Sequence, residues 1–195
     1  EFLLPGIIGM TLLFSSMFSG ISVLIDKQFG FMKEILVAPI SRMSIMLGKT
    51  LGGSTTAMIN GLIMLFLAIL IGIHFASLSG VLFSMVFMLL ISMSFVSFGV
   101  AIASKMTDMS GFQMIMNFLI MPMFFLSGAL FPINQTPAWM QSLAYIDPLF
   151  YGVDGLRGSL VGISVFPIII DFAILAAFCT ALIILGAYLF RKSEI

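Results

Sequence analysis

The chain has 195 residues, 61% of them hydrophobic, with a mean hydropathy of +1.25 and eight cationic side chains balanced by eight acidic ones. A soluble domain carries about a quarter charged residues; at 8% this chain cannot clothe a water-facing surface, so a soluble globular fold is excluded and an integral membrane protein is implied. Zero net charge removes the electrostatic case for a nucleic-acid partner, and a lone Cys179 in an apolar run excludes an intramolecular disulfide or a thiolate metal cluster.

The charge-free stretches locate the spans. Between Glu1 and Asp26 lie 24 uncharged residues, enough for one crossing at about 20 residues, and a first helix is expected over 3–25. Strands are not expected, because the apolar runs are long and lack the alternation of a membrane barrel. The next stretch, DKQFGFMKEILVAPISRMSIMLGKT, gathers Asp26, Lys27, Lys33, Glu34, Arg42 and Lys49, which are six of the 16 charged residues in the chain. On a helical projection Phe29, Phe31, Met32, Ile35 and Leu36 share one arc, and Asp26, Lys27, Gly30, Lys33 and Glu34 share the other. Gln28 and Val37 do not fit. This predicts an amphipathic helix over about 26–38, lying in the membrane interface and ended by Pro39. Ser41 is placed to cap the element that follows. A plain interfacial anchor accounts for the amphipathicity equally well, but the mixed signs of Lys33 and Glu34 suit a protein partner better than anionic lipid.

Gly48-Lys49-Thr50 mimics the end of a phosphate-binding loop. That motif needs a Gly where Met43 stands and a strand before it. Lys49 instead opens an apolar helix, where a lysine reaches toward the interface. The 55 uncharged residues from Lys49 to Lys105 are too many for one crossing at about 1.5 Å each. They predict spans over 48–73 and 80–104, separated by a polar break at HFASLSG that contains His74, read as a solvated loop residue. Ser15/Ser19 and Gly48/Gly52 are small-residue spacings that permit close helix contacts.

A further span is expected over 110–131, with a kink at Pro122. The segment 134–162 is too polar and turn-rich to cross the membrane, yet it carries Trp139, Tyr145, Phe150 and Tyr151, side chains that favour the interface. Short re-entrant helices buried in protein are expected there, with Trp139, Asp147, Tyr151, Asp154 and Arg157 as gate candidates. Asp154 and Arg157, three apart, are placed to pair. The last span is expected over 166–190. Asp171, near its start, is a functional candidate because carboxylates within membranes are costly. Orientation follows from cations. With Asp26–Lys49 inside, the cytoplasmic side holds Lys27, Lys33, Arg42, Lys49, Lys105, Arg191 and Lys192, and the outer side holds Arg157 alone. The first residue is then outside and the last inside. An outside start with no initiator Met and no basic leader implies a preceding helix, and so six spans in the full protein.

Two blocks resemble the ABC-2 type permease family, in particular its drug- and polyketide-export branch. The first is the charged stretch, with Asp26-Lys27, Phe29-Gly30, Lys33-Glu34, Pro39-Ile40-Ser41-Arg42 and Gly48-Lys49. The second is Phe124–Gly162, with Leu126-Ser127-Gly128, Phe131-Pro132, Pro137-Ala138-Trp139, Pro148-Leu149-Phe150-Tyr151 and Asp154–Arg157. Asp147 departs from the Asn more usual there, so the backbone cap supplied by that Asn is not implied. The resemblance implies an all-α, six-span permease subunit in the plasma membrane, paired with a second permease subunit (a homodimer) and with two separate ATPase subunits.

The amphipathic segment would be the coupling helix, with Asp26, Lys27, Phe29, Gly30, Lys33, Glu34, Pro39 and Arg42 as the ATPase-facing set. ATP and Mg²⁺ would act on the partner, and this chain would hold no cofactor, metal or catalytic residue. Export of a hydrophobic or amphiphilic substrate by alternating access is the expected activity. The alternatives are an ATP-independent secondary transporter using Asp171 and His74 as a proton relay, or a membrane anchor or assembly protein that moves nothing.

Overall fold

The computed structural model describes residues 2–31, 41–73, 75 and 77–191. Among these residues the fold is all helical, without strands. In chain order the elements are α1 (Leu3–Phe18), α2 (Ile21–Gln28), α3 (Arg42–Leu70), α4 (Leu78–Lys105), α5 (Met109–Leu126), a 3₁₀ turn (Ile133–Gln135), α6 (Ala138–Ala144), α7 (Pro148–Val161) and α8 (Ile168–Arg191). Five helical units are long and apolar enough to cross a membrane: Leu3–Gln28 taken together, α3, α4, α5 and α8.

The first of these is not continuous. Ser19 and Gly20 offset α2 from α1 through short bonds, with Gly20 N–H donating to Met17 O at 3.3 Å and Val23 N–H to Gly20 O at 3.0 Å. The cause is a crossing with α4. A Cβ on Gly20 would sit 2.5 Å from the Gly99 carbonyl oxygen, and one on Gly99 would sit 2.5 Å from that of Met17. The two backbones touch because neither helix has a side chain at the crossing.

Helix limits follow local chemistry more than hydropathy. α3 begins at Arg42, ahead of the 48 expected, because Ser41 Oγ accepts the Ser44 N–H at 3.1 Å and so caps it. α4 is capped by Ser77, which accepts Gly80 N–H at 3.0 Å, and α5 by Asp108, which accepts Gly111 N–H at 2.5 Å. α5 contains Pro122 and stops at Leu126, short of the expected 131, where Ser127 and a left-handed Gly128 turn the chain.

α4 is the central helix, packed against α1, α3, α7 and α8. It carries Ser84, Ser92, Ser94, Ser97 and Ser104 into the core. Four of these hydroxyls donate to carbonyls one turn back, Ser92 to Met88 O and Ser94 to Leu90 O at 2.7 Å for example. Ser97 instead reaches Thr50 of α3 at 3.5 Å. On α4 these small hydroxyl residues thus allow close packing without orphaned donors. α1 and α3 are also linked, by Asn60 Nδ2 donating to Ser15 Oγ at 2.9 Å.

Candidate functional site

Functional side chains gather at the two ends of the bundle. At one end, Asp26 on α2 and Lys49 on α3 form an ion pair at 2.5 Å, about a fifth to a quarter exposed. Lys27, the next residue, turns the other way. Its Nζ donates to Ser104 O at 2.5 Å and reaches Met106 O at 3.4 Å. An ammonium is favourable there, because the last carbonyls of α4 have no helical partner and carry the negative end of its dipole. Asp26 and Lys27 therefore tie α2 to both α3 and α4. α2 ends at Gln28, and Gly30 takes a left-handed conformation (φ +81), so Asp26 and Lys27 belong to the helix of the first span. Phe29 and Phe31 beyond it are exposed. Lys33, Glu34 and Pro39 lie outside the described residues, as does His74. Arg42 opens α3 and borders a groove with Ser41, Met43, Ile184, Ala187 and Tyr188.

The two small-residue pairs meet in one place. Ser15 and Ser19 on the first span face Gly48 and Gly52 on α3 across a groove of about 790 Å³, with Lys49 also on its wall. Lys49 is thus not a lysine reaching alone for the interface but the cation of a pair between helices.

The opposite end is built by 127–167. α7, read from sequence as too polar to span, is wrapped by protein: 11 of its 14 residues are buried, against α1, α4 and α8. Asp147 caps it, Oδ1 accepting the Leu149 N–H at 3.0 Å, so the aspartate performs the capping expected of an asparagine. Its other oxygen is buried without a partner. Burial pushes the Asp147 carboxyl up to about 7, and the bond from Leu149 opposes the rise. Tyr151 Oη donates to Tyr145 O at 2.8 Å and packs with Phe150 and Phe166. Trp139, on α6, is exposed.

Asp154 and Arg157 do not close into the expected ion pair. Asp154 accepts the Val165 N–H at 2.8 Å and the Phe166 N–H at 2.9 Å, fastening the loop between α7 and α8. Arg157 donates to Gly128 O at 2.8 Å and lies over the Phe2 ring at 4.0 Å, joining α7 to the turn after α5 and to the start of the chain. Asp154 still acts on Arg157 through space, against the burial that disfavours its charge. Asp171, in the first turn of α8, is fully buried, and neither of its carboxylate oxygens has a hydrogen-bond partner. Among the described residues no cluster of His, Cys, Asp and Glu has the makeup of a metal site.

The ABC-2 type transporter profile matches residues 1–161. The chain belongs to the ABC-2 type transporter family. This ABC-2 member is 27% identical over 158 residues to the putative transport permease ycf38 of Cyanophora paradoxa, covering 80% of the chain and 54% of the relative. It is 25% identical over 188 residues to the inner membrane transport permease YadH of Escherichia coli K12, covering 93% of the chain and 70% of the relative. It is 31% identical over 157 residues to the probable multidrug ABC transporter permease YbhR of the same strain, covering 78% of the chain and 42% of the relative. The ABC-2 chain thus spans about half the length of the ycf38 and YbhR proteins.

Sequence reasoning singled out the residues at both ends but missed their partners. Nothing in the sequence links Asp26 to Lys49, or Arg157 to Phe2 and Gly128, because these contacts join segments far apart in the chain. The Lys27 contact had a signal, a cation at the membrane level where another helix ends. Asp108 had one too, as an Asp preceding an apolar run.

Proposed function

We propose that this chain is the membrane-spanning part of an ATP-driven permease that exports a hydrophobic or amphiphilic substrate. A separate ABC ATPase would bind ATP and Mg²⁺, and a second permease copy would complete the pathway. The observation that carries the reading is the family match over residues 1–161. The names of YadH and YbhR, a transport permease and a probable multidrug ABC transporter permease, support transport, and the second supports an amphiphilic cargo.

The geometry of the charged end supports the coupling. Lys27, Arg42, Lys49 and Lys105 lie at that end and Arg157 at the other, so the excess of cations favours the cytoplasm for the charged end. The segment between α2 and α3 is then the cytoplasmic contact, with Lys33, Glu34 and Arg42 facing the ATPase. A push on it is delivered to α2 and passed on through Asp26–Lys49 to α3 and through Lys27 to α4. The three helices tilt together, and access alternates between the two sides.

The test uses the full-length permease reconstituted with its ATPase in vesicles. Exchanging the charges, Lys33→Glu with Glu34→Lys, is expected to leave insertion intact, to lower substrate-stimulated ATP hydrolysis at least tenfold and to abolish uptake of an amphiphilic dye. Coupling equal to the wild type in the exchanged protein would refute the contact. Dye transport without any ATPase would refute the ATP-driven reading itself.

A further inference from the structure

α8 meets α3 and α4 closely near the charged end of the bundle. A Cβ on Gly186 would lie 2.5 Å from Met46 Cε on α3 and 3.1 Å from the Ser97 carbonyl oxygen on α4. Beside this contact a groove of about 760 Å³ opens between α3 and α8, lined by Ser41, Arg42, Met43, Ile184, Ala187 and Tyr188. Met43, Ile184 and Tyr188 are each more than half exposed.

The level of the groove follows from helix length. α3 has 29 residues, roughly 44 Å at about 1.5 Å each, against about 30 Å for the hydrocarbon core of a bilayer. Its ends therefore stand in the headgroup layers, and Arg42 is its first residue. Tyr188 lies in the last turn of α8, at the level tyrosine favours, and Ile184 lies one turn deeper, among acyl chains. The groove thus grades from polar to apolar along its length. Its charge is one-sided, since Arg42 is on its wall and no carboxylate is among the described residues that line it. The stretch before it differs, because Lys33 is there answered by Glu34. Two other cations at this end are engaged within the bundle, Lys27 with the Ser104 and Met106 carbonyls and Lys49 with Asp26. A guanidinium offers five donors in a planar fork, enough to keep a protein contact and still hold a phosphate.

We propose that the groove between α3 and α8 binds one anionic phospholipid. The lipid phosphate sits on Arg42, the Tyr188 ring lies beside the glycerol backbone, and an acyl chain runs along Met43, Ala187 and Ile184. A zwitterionic lipid also carries a phosphate, but its own ammonium offsets that charge, so a cation with no carboxylate beside it in the groove selects the anionic lipid. Free phosphate covers none of the apolar length, and burial of that length against an acyl chain is what holds a lipid there. Binding requires only that this end lie at the headgroup level. Where it rests on the orientation proposed above, the lipid comes from the cytoplasmic leaflet, and its phosphate meets α3 where the coupling segment joins it.

The experiment uses the full-length permease, without its ATPase, in nanodiscs of phosphatidylcholine mixed with phosphatidylglycerol, and counts the lipid retained on release by native mass spectrometry. The wild type is expected to retain phosphatidylglycerol in preference to phosphatidylcholine, and to keep it in excess inorganic phosphate. Arg42→Gln is expected to lower that retention about tenfold, the order of a charged hydrogen bond. Ile184→Trp fills the groove and leaves its charge intact, so a comparable loss in this variant separates occupation of the groove from general attraction to a basic end. No preference for phosphatidylglycerol, displacement by inorganic phosphate, or unchanged retention in either variant overturns the site. Loss of a second permease copy rather than of lipid in Ile184→Trp assigns the groove to a subunit contact and also overturns it. If Arg42→Gln fails to accumulate, Ile184→Trp decides. With no ATPase present, failure here leaves the ATP-driven reading standing, and failure of the Lys33 and Glu34 exchange leaves the lipid site standing.

Discussion

α7 and α5 lie on either side of the same turn region and bury themselves in opposite ways. α5 has no charged residue, and Phe118 and Met114 on it are each more than 70% exposed in the isolated chain. α7 contains Asp154, Arg157 and three glycines within 14 residues and is almost wholly enclosed. The difference teaches that in a membrane chain apolarity reports contact with lipid, whereas enclosure by protein selects small residues and satisfied polar groups.

The largest test of that contrast is steric. A Cβ on Gly155 would run into the Phe87 ring, and one on Gly152 would lie 2.7 Å from Ile91. Gly155→Leu is expected to cost about 3 kcal/mol or more, read as loss of a monodisperse peak in detergent. Phe118→Leu on α5 is expected to change stability by less than about 0.5 kcal/mol. Comparable losses in the two variants would break the comparison.

Next is charge. Arg157→Met leaves the Gly128 carbonyl without its donor and Asp154 without its cation, and a thermal-shift measurement should show a loss of roughly 3 kcal/mol. A neutral outcome would mean that the enclosed charge does not hold the hairpin.

Asp147 sharpens the comparison through pH. Its folded carboxyl is raised to about 7 from 3.8, so the folded state binds the proton more tightly. Its contribution is favourable below about 4 and is lost as pH rises toward 7. Asp147→Asn keeps an acceptor for Leu149 and has no charge to bury. It is expected to raise the thermal midpoint at pH values above the Asp147 titration, and to remove one titration step from the stability profile. A midpoint that falls at every pH would contradict this.

The smallest effect belongs to the opposite end. Lys49→Met leaves Asp26 unpaired but partly solvated, and about 1 kcal/mol is expected, measurable by chemical denaturation.

The five crossings were legible because lipid-facing helices must be long and apolar, and charge-free gaps show that directly. The enclosure of α7 was legible only in part. Its aromatic side chains and turn residues indicated a segment that does not cross, but the identity of its neighbours is set by tertiary contacts such as Gly155 against Phe87. The expected Asp154–Arg157 pair illustrates the limit. Spacing of three on a helix makes a pair available, yet unpaired backbone groups at Val165, Phe166 and Gly128 compete for the same side chains and win. Asp147 shows the reverse case, a residue for which the resemblance implied no backbone cap and which accepts the Leu149 N–H all the same.

The crossing of Gly20 and Gly99 has a mechanical consequence. Where two main chains touch with no side chain between them, neither can slide past the other without collision, so relative movement reduces to rocking about that spot. The offset between α1 and α2 sits at the same level, which makes it a fulcrum: a short arm toward Asp26 and Lys27, a long arm toward the buried hairpin, and a small displacement at one extremity enlarged at the other.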